Sequence, residues 1–233
     1  MKAMVLAAGL GTRLRPLTND RPKALVQVAG RTLLEIVLSR LKAFGVNEVI
    51  VNVHHFADMV VEYLAAQQYF GMRIEISREE ELLDTGGGLK KAAWFFQEGS
   101  SKDEPFYLHN VDVISTIDLR RMVEFHRSSR ALATLAVQDR ETSRYLLFND
   151  ADELCGRRAG RDGAVESVRA ASQTAARAFS GVHVISPRVL GMLSEAGAFS
   201  IVTSYLRLAG RARRSSPSGR MSIIGGIWDG SRV

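Results

Sequence analysis

A short apolar run, residues 2–6, passes directly into Ala7-Ala8-Gly9-Leu10-Gly11-Thr12-Arg13, and this junction constrains the chain more than any other stretch. A run this short, mixing β-favouring and small apolar residues after Lys2, suffices for a buried parallel strand, because such strands are covered on both faces and read as near-continuous apolar runs. The residues that follow are low in bulk. Ala7, Ala8, Gly9 and Gly11 keep side chains away from the backbone, which lets successive N–H groups surround an anion. Arg13 and Arg15 add fixed positive charge, and Pro16 and Pro22 stiffen the path that delivers Lys23. A strand ending in such a loop is predicted to cradle phosphate. Two common phosphate loops do not fit: Leu14 stands where a dinucleotide fingerprint needs its third glycine, and the Gly-Lys-Ser/Thr of a Walker A loop is missing.

The spelling Ala-Ala-Gly-x-Gly-Thr-Arg-x-x-Pro-Leu-Thr over residues 7–18, followed by Pro22-Lys23, resembles the signature of the sugar-phosphate nucleotidylyltransferases. The resemblance implies an α/β fold with a Rossmann-like mixed, mainly parallel sheet flanked by helices. It also implies the reaction of an NTP with a sugar 1-phosphate to give an NDP-sugar and pyrophosphate, with Mg²⁺ as cofactor. Ala8, Gly9, Gly11, Thr12 and Arg13 would hold the triphosphate, and Lys23 would sit where the reacting phosphates meet.

Composition narrows the alternatives. At 233 residues and 46% hydrophobic content the chain can bury a substantial core, and we read it as one domain, with a nucleotide-binding half at 1–130 and a sugar-phosphate-binding half at 131–233. The net charge of +6 suits a polyanionic partner, but the excess is spread out and the densest basic run, 207–220, has a single nearby aromatic, Tyr205. Nucleic acid is therefore not expected. Six lysines stand against twenty-five arginines, so Lys23 is a marked choice. The lone cysteine, Cys155, excludes an internal disulfide and a cysteine metal site, and fits a reducing compartment. No apolar stretch approaches the roughly 20 residues that span a bilayer. The expectation is a cytoplasmic protein without a membrane partner, and a homo-oligomer is compatible with the chain.

Along the chain, Thr32 and Glu35 spell a capping box for a helix that carries Leu33, Val37 and Leu41 at helical spacing and ends near Gly45. Strands are predicted at 48–53 and 72–77, with a helix between them marked by Phe56, Val60, Val61 and Leu64. Adjacent His54 and His55 at a strand end point to opposite faces and are read as packing and solvent residues. The run Asp84-Thr85-Gly86-Gly87-Gly88 is predicted to open a helix through Ala92 and Trp94. By resemblance, Thr85, Gly86 and Gly87 line the base and ribose, and Glu79 reads the base. A carboxylate there accepts N–H donors, which favours GTP or UTP.

Residues 106–113 form an apolar strand closing on Asn110 and Asp112, at the carboxyl end where open α/β sheets bind ligands. In the family this point carries Asn/Asp-Gly-Asp, with the second acid on Mg²⁺. Asp112 matches it, and Val111 replaces the glycine with a side chain expected to face the core. A helix at 118–129, a strand at 131–139 and a hairpin of 144–148 with 153–157 follow. Phe179-Ser180-Gly181-Val182-His183 resembles the family segment near the sugar, which assigns Ser180 and Gly181. The family's Glu-Lys-Pro segment, whose lysine grips the sugar phosphate, has no counterpart, and Arg169 is the candidate replacement. Helices are predicted at 187–193 and 199–208, the latter with Phe199, Val202 and Leu206 on one face. A final strand would lead into Trp228-Asp229-Gly230, one residue shorter than the family's Trp-x-Asp-x-Gly, with Asp229 as second metal ligand. Two other readings stand beside the enzyme: a nucleotide-sugar-binding regulatory protein without turnover, and a cytidylyltransferase for an alcohol phosphate such as phosphocholine.

Overall fold

Strand β1 (Lys2–Leu6) is buried along its whole length, and its alternating side chains enter two different cores. Ala3 and Val5 join one apolar cluster, Met4 and Leu6 the other. This is the physical meaning of its unbroken apolar run, since a parallel strand has helices on both faces. The computed structural model describes residues 1–99, 103–211 and 222–227.

The elements are, in chain order, β1, the two-residue strands β2 (Gln27–Val28) and β3 (Arg31–Thr32), α1 (Leu33–Ala43), β4 (Glu48–Val53), α2 (Ala57–Ala66), β5 (Arg73–Arg78), α3 (Asp84–Lys91), α4 (Ala93–Gln97), β6 (Phe106–Asn110) and α5 (Leu119–Ser129). Then come β7 (Ala133–Gln138), β8 (Arg144–Phe148), β9 (Leu154–Ala159), β10 (Val165–Ser167), β11 (Ala175–Ile185), α6 (Ile201–Arg211) and β12 (Ile223–Ile227). The first half of the chain forms a parallel sheet in the order β5-β4-β1-β6. Strand β11 then pairs antiparallel with β6, setting Val182 opposite His109, and runs on past the carboxyl end of β6 to pair with β8. Its other edge holds β7, which in turn pairs parallel with β12. The sheet is thus continuous across both halves, and the segment at 179–183 is carried to the end of β6.

Helices α1, α2 and α5 cover one face, with Leu34, Leu38, Leu64 and Met122 fully buried. Residues of α3, α4 and α6 cover the other, around Leu89, Phe95 and Tyr205. Most predicted boundaries hold within a residue or two. The capping box is half made: Thr32 Oγ1 accepts from the Glu35 N–H at 3.0 Å, but the Glu35 carboxylate pairs with Arg31 at 2.7 Å instead of reaching back. The 199–208 helix starts two residues late, at Ile201, so Leu206 is buried as expected together with Ile201, Tyr205, Leu208 and Ala209, and Phe199 lies before it. The 187–193 segment is a 3₁₀ helix, Pro187–Met192.

The glycine run opens a helix as expected, but that helix ends sooner. Gly86, Gly87 and Gly88 lie inside α3, where each glycine weakens a helix by about 1 kcal/mol relative to alanine. Close packing explains their presence. A Cβ on Gly86 would stand 2.3 Å from the Phe199 ring, one on Gly87 2.5 Å from the Gly197 carbonyl oxygen, and one on Gly88 2.7 Å from Glu79 Oε1. The helix then breaks at Ala92 before α4, so no single helix runs on through Trp94.

Three histidines are buried as neutral groups. Burial pushes His109 and His126 down to about 4 and His183 to about 3, helped at His109 by Arg40, at His126 by Arg188 and Arg127, and at His183 by His109. Because these values lie below the ordinary 6.5, the unfolded chain takes up protons first as pH falls. Stability is therefore expected to be level above about pH 6.5 and to fall between there and about pH 4. Melting temperatures measured across pH 8 to 4.5 check this, and a flat profile through pH 5.5 would contradict it.

Candidate active site

The glycine loop that follows β1 is braced by a buried polar relay. Asn52, the one polar side chain in the middle of β4 and 2% exposed, accepts the Ala7 N–H at 2.7 Å and donates to Glu79 Oε1 at 2.7 Å. Glu79 Oε2 accepts the Leu83 N–H at 3.0 Å. Glu79 is 5% exposed with both oxygens engaged, so the carboxylate expected to read the base instead braces the loop against β4 and the start of α3. Asn52 was not among the sequence candidates. Its signal was available, since an asparagine inside Val-Ile-Val-Asn-Val must find partners within the core.

Beyond Ala8 the loop is open. Gly11 has φ +64°, and a Cβ there would lie 2.9 Å from Thr18 Cγ2, so the fold itself demands glycine. Gly9 is different: it is exposed, and nothing in the protein lies within 4 Å of a Cβ placed on it. Thr12 and Arg13 begin the 3₁₀ turn Thr12–Leu14 and are exposed, and Arg13 has no hydrogen bond or ion pair among the described residues. Pro22 caps a second 3₁₀ turn, Lys23–Leu25. From it Lys23 Nζ reaches Asp112 Oδ2, across 89 residues of sequence.

Asp112 stands on the turn after β6, its side chain 40% exposed, while Val111 is 2% exposed in the core as expected. Beside it, Asn110 meets the 179–183 segment of β11. Gly181 has φ +74°, and a Cβ there would come within 2.7 Å of Asn110 Nδ2, so the bulge in β11 needs glycine to let the two strands close. Asn110 Oδ1 and Ser180 Oγ are both buried without a hydrogen-bond partner among the described residues. Unpartnered buried polar atoms are costly, at about 1–3 kcal/mol each, and mark places where a ligand hydroxyl would be welcome.

Two candidates are placed differently. Arg169 donates to Glu153 at 2.6 Å and to the Ala209 carbonyl at 3.2 Å, which ties it to β9 and the end of α6 and takes its guanidinium away from the expected sugar-phosphate role. Thr85 Oγ1 accepts the Ile201 N–H at 3.0 Å, and the Gly86 and Gly87 N–H groups both point to the Phe199 carbonyl. The start of α3 thus spends its donors on the protein. Asp229 lies outside the described residues.

The nucleotidyl transferase family pattern matches residues 2–148. Over 238 aligned residues, 96% of this chain and 91% of the other, the chain is 38% identical to the N-acetylmuramate alpha-1-phosphate uridylyltransferase of Caulobacter vibrioides. This chain belongs to the sugar-phosphate nucleotidylyltransferases. Mannose-1-phosphate guanylyltransferase 1 of Arabidopsis thaliana is also 38% identical to this nucleotidylyltransferase, but over 59% of the chain and 38% of its own length. The fold of the family is seen in a putative glucose-1-phosphate thymidylyltransferase from Bacillus anthracis, with a TM-score of 0.75, 18% identity and coverage of 97% of this chain and 87% of that one.

The donor set bears on the metal. Among the described residues no group of three or more His, Cys, Asp or Glu side chains that could hold a metal comes together, so these residues alone make no cage. Mg²⁺ does not need one, because it commonly binds through one or two carboxylates and completes its shell with substrate phosphates and water. The accessible Asp112 carboxylate, facing a phosphate loop, fits that pattern. No described helix is long and apolar enough to cross a membrane.

Arg13→Ala is expected to weaken nucleoside triphosphate binding about tenfold and leave binding of the nucleoside unchanged, since it removes an exposed cation that has no hydrogen bond or ion pair among the described residues. Isothermal titration with both ligands decides it, and equal losses for the two would reject a triphosphate in this loop.

Proposed function

We propose that this nucleotidylyltransferase joins UTP to a hexose 1-phosphate of the N-acetylmuramate α-1-phosphate type, with Mg²⁺, releasing pyrophosphate. The observation that carries the reaction is the meeting of Lys23 and Asp112 at the carboxyl edge of the sheet, between the Gly9–Gly11 loop and the Asn110–Ser180 pair. The choice of UTP over GTP rests on likeness along nearly the whole of both chains to a uridylyltransferase, against likeness to part of a guanylyltransferase.

Two polyanions have to approach in this chemistry, so positioning and charge neutralisation are the main tasks and no protein nucleophile is needed. The N–H groups of residues 9–12 and the Arg13 guanidinium hold the β and γ phosphates. Lys23 Nζ, freed from Asp112 as substrates enter, bridges the α phosphate and the incoming sugar phosphate. An oxygen of the sugar phosphate attacks the α phosphorus in line, the bond to the β-bridging oxygen breaks, and that oxygen leaves on pyrophosphate with the electron pair. Asp112 would hold Mg²⁺, which when bound spreads the charge of the phosphate oxygens. The 1–130 half thus carries the nucleotide, and Asn110 with Ser180 and Gly181 of the 131–233 half receives the sugar.

Pyrophosphate release, measured with each of four NTPs against N-acetylmuramate, mannose and glucose 1-phosphates, tests the reading. UTP with N-acetylmuramate 1-phosphate is expected to give the highest kcat/KM. Preference for CTP with phosphocholine would favour the cytidylyltransferase alternative. Nucleotide binding without pyrophosphate release from any pair would make the chain a binding protein.

A further inference from the structure

At the opposite edge of the sheet, where β6 and β7 begin and β11 ends, a cleft of about 390 Å³ opens beside the last turn of α5. Its charged lining is one-sided. Arg127, Arg130 and Arg188 face Asp103 alone among carboxylates, and none of the three arginines has an ion-pair partner among the described residues. The carbonyl groups at the end of α5 would justify one cation. Arg188 already fills that place, donating to the Arg130 and Ala131 carbonyls at 3.4 and 3.5 Å while Ser186 Oγ fixes its Nε at 3.0 Å. Arg127 and Arg130 are left over.

A second feature is independent of the arginines. His126 lines the same cleft but is 4% exposed, held by Nδ1 against Thr134 Oγ1 at 2.9 Å on β7. Its Nε2, on the far side of the ring from that anchor, has no hydrogen-bond partner among the described residues. That nitrogen is open to the solvent of the cleft, so a ligand oxygen can bond to it beside the three guanidinium groups. Guanidinium forks match phosphate oxygens bidentately, and the cleft lies within the range of small-molecule sites, with more room than inorganic phosphate needs.

We infer that this cleft is a second anion site, which takes the phosphate group of a small phosphomonoester between Arg127, Arg130 and Arg188, with His126 Nε2 bonded to the ester. Five residues of β6, about 16 Å, separate it from Asp112 at the other end of that strand, so its ligand does not meet the reacting phosphates. The site is one for a bystander metabolite, not for a substrate.

The ring nitrogens of His126, followed by long-range ¹H–¹⁵N correlation in the intact protein, report on it directly. The probes are inorganic phosphate, glucose 6-phosphate and UMP, which separate free phosphate, sugar phosphate and nucleotide as sources. At least one ester is expected to shift Nε2 saturably and more tightly than inorganic phosphate. The double variant Arg127→Gln/Arg130→Gln, whose side chains are exposed and unpaired, should melt like wild type, keep its turnover and lose affinity about tenfold or more. No shift of Nε2 with any probe, or an undiminished shift in the double variant, would overturn the inference and leave these arginines as caps of α5.

Discussion

Asp112→Asn is expected to lower turnover by about three decades or more, some 4 kcal/mol of transition-state stabilisation, while the protein melts within about a degree of wild type. The size follows from what the carboxylate does. Among the described residues it is the charged oxygen donor at the carboxyl end of β6 that faces the loop, and a neutral amide cannot supply what a hard divalent cation requires. The mild effect on the fold follows from its exposure of 40%, since the strand below is held by Val111 and the ladder to β1. Steady-state rates at saturating UTP check the first half, and thermal melts the second. A variant that turns over within tenfold of wild type would remove Asp112 from the reaction.

Lys23→Ala is expected to cost kcat one to two decades with a smaller change in UTP affinity. A charge-assisted contact is worth about 1.5–3 kcal/mol, and here it is proposed to be strongest when charge gathers around the α phosphorus. Loss of the lysine has a second, opposite consequence. In the free protein Lys23 neutralises Asp112, so the alanine variant leaves that carboxylate open to cations in the absence of nucleotide. Mn²⁺ binding to the nucleotide-free protein, read by electron paramagnetic resonance, should therefore be tighter in Lys23→Ala than in wild type. Unchanged kcat would exclude the role at the reacting phosphates.

The sheet was readable because its physics is local. The mainly apolar runs at 2–6, 48–53 and 106–110 were legible as buried strands, and Thr32 announced its helix as an N-cap that the structure confirms. Lys23 and Asp112 were legible through motif spelling, and their contact is a product of the fold. The misses share a cause. Glu79, Arg169 and the run 86–88 were read by residue type, as a base reader, a phosphate grip and a lining for base and ribose, but tertiary partners far away in sequence engage each of them. Glu79 found Asn52, Arg169 found Glu153, and the glycines make room for the 197–199 segment. Long-range pairing of this kind leaves no periodic trace. Asn52 was the exception, a polar residue in an apolar strand whose need for partners could have been stated from the sequence.

Attack at the α phosphorus is the centre of the account, and isotope position tests it most directly. UTP labelled at the α phosphate, and separately at the γ phosphate, is mixed with N-acetylmuramate 1-phosphate, Mg²⁺ and excess protein, and the products of a single turnover are separated. The account predicts all α label in the sugar nucleotide and all γ label in pyrophosphate. Appearance of the γ label in the sugar product, or recovery of both labels in unreacted UTP that the protein has bound, would contradict it.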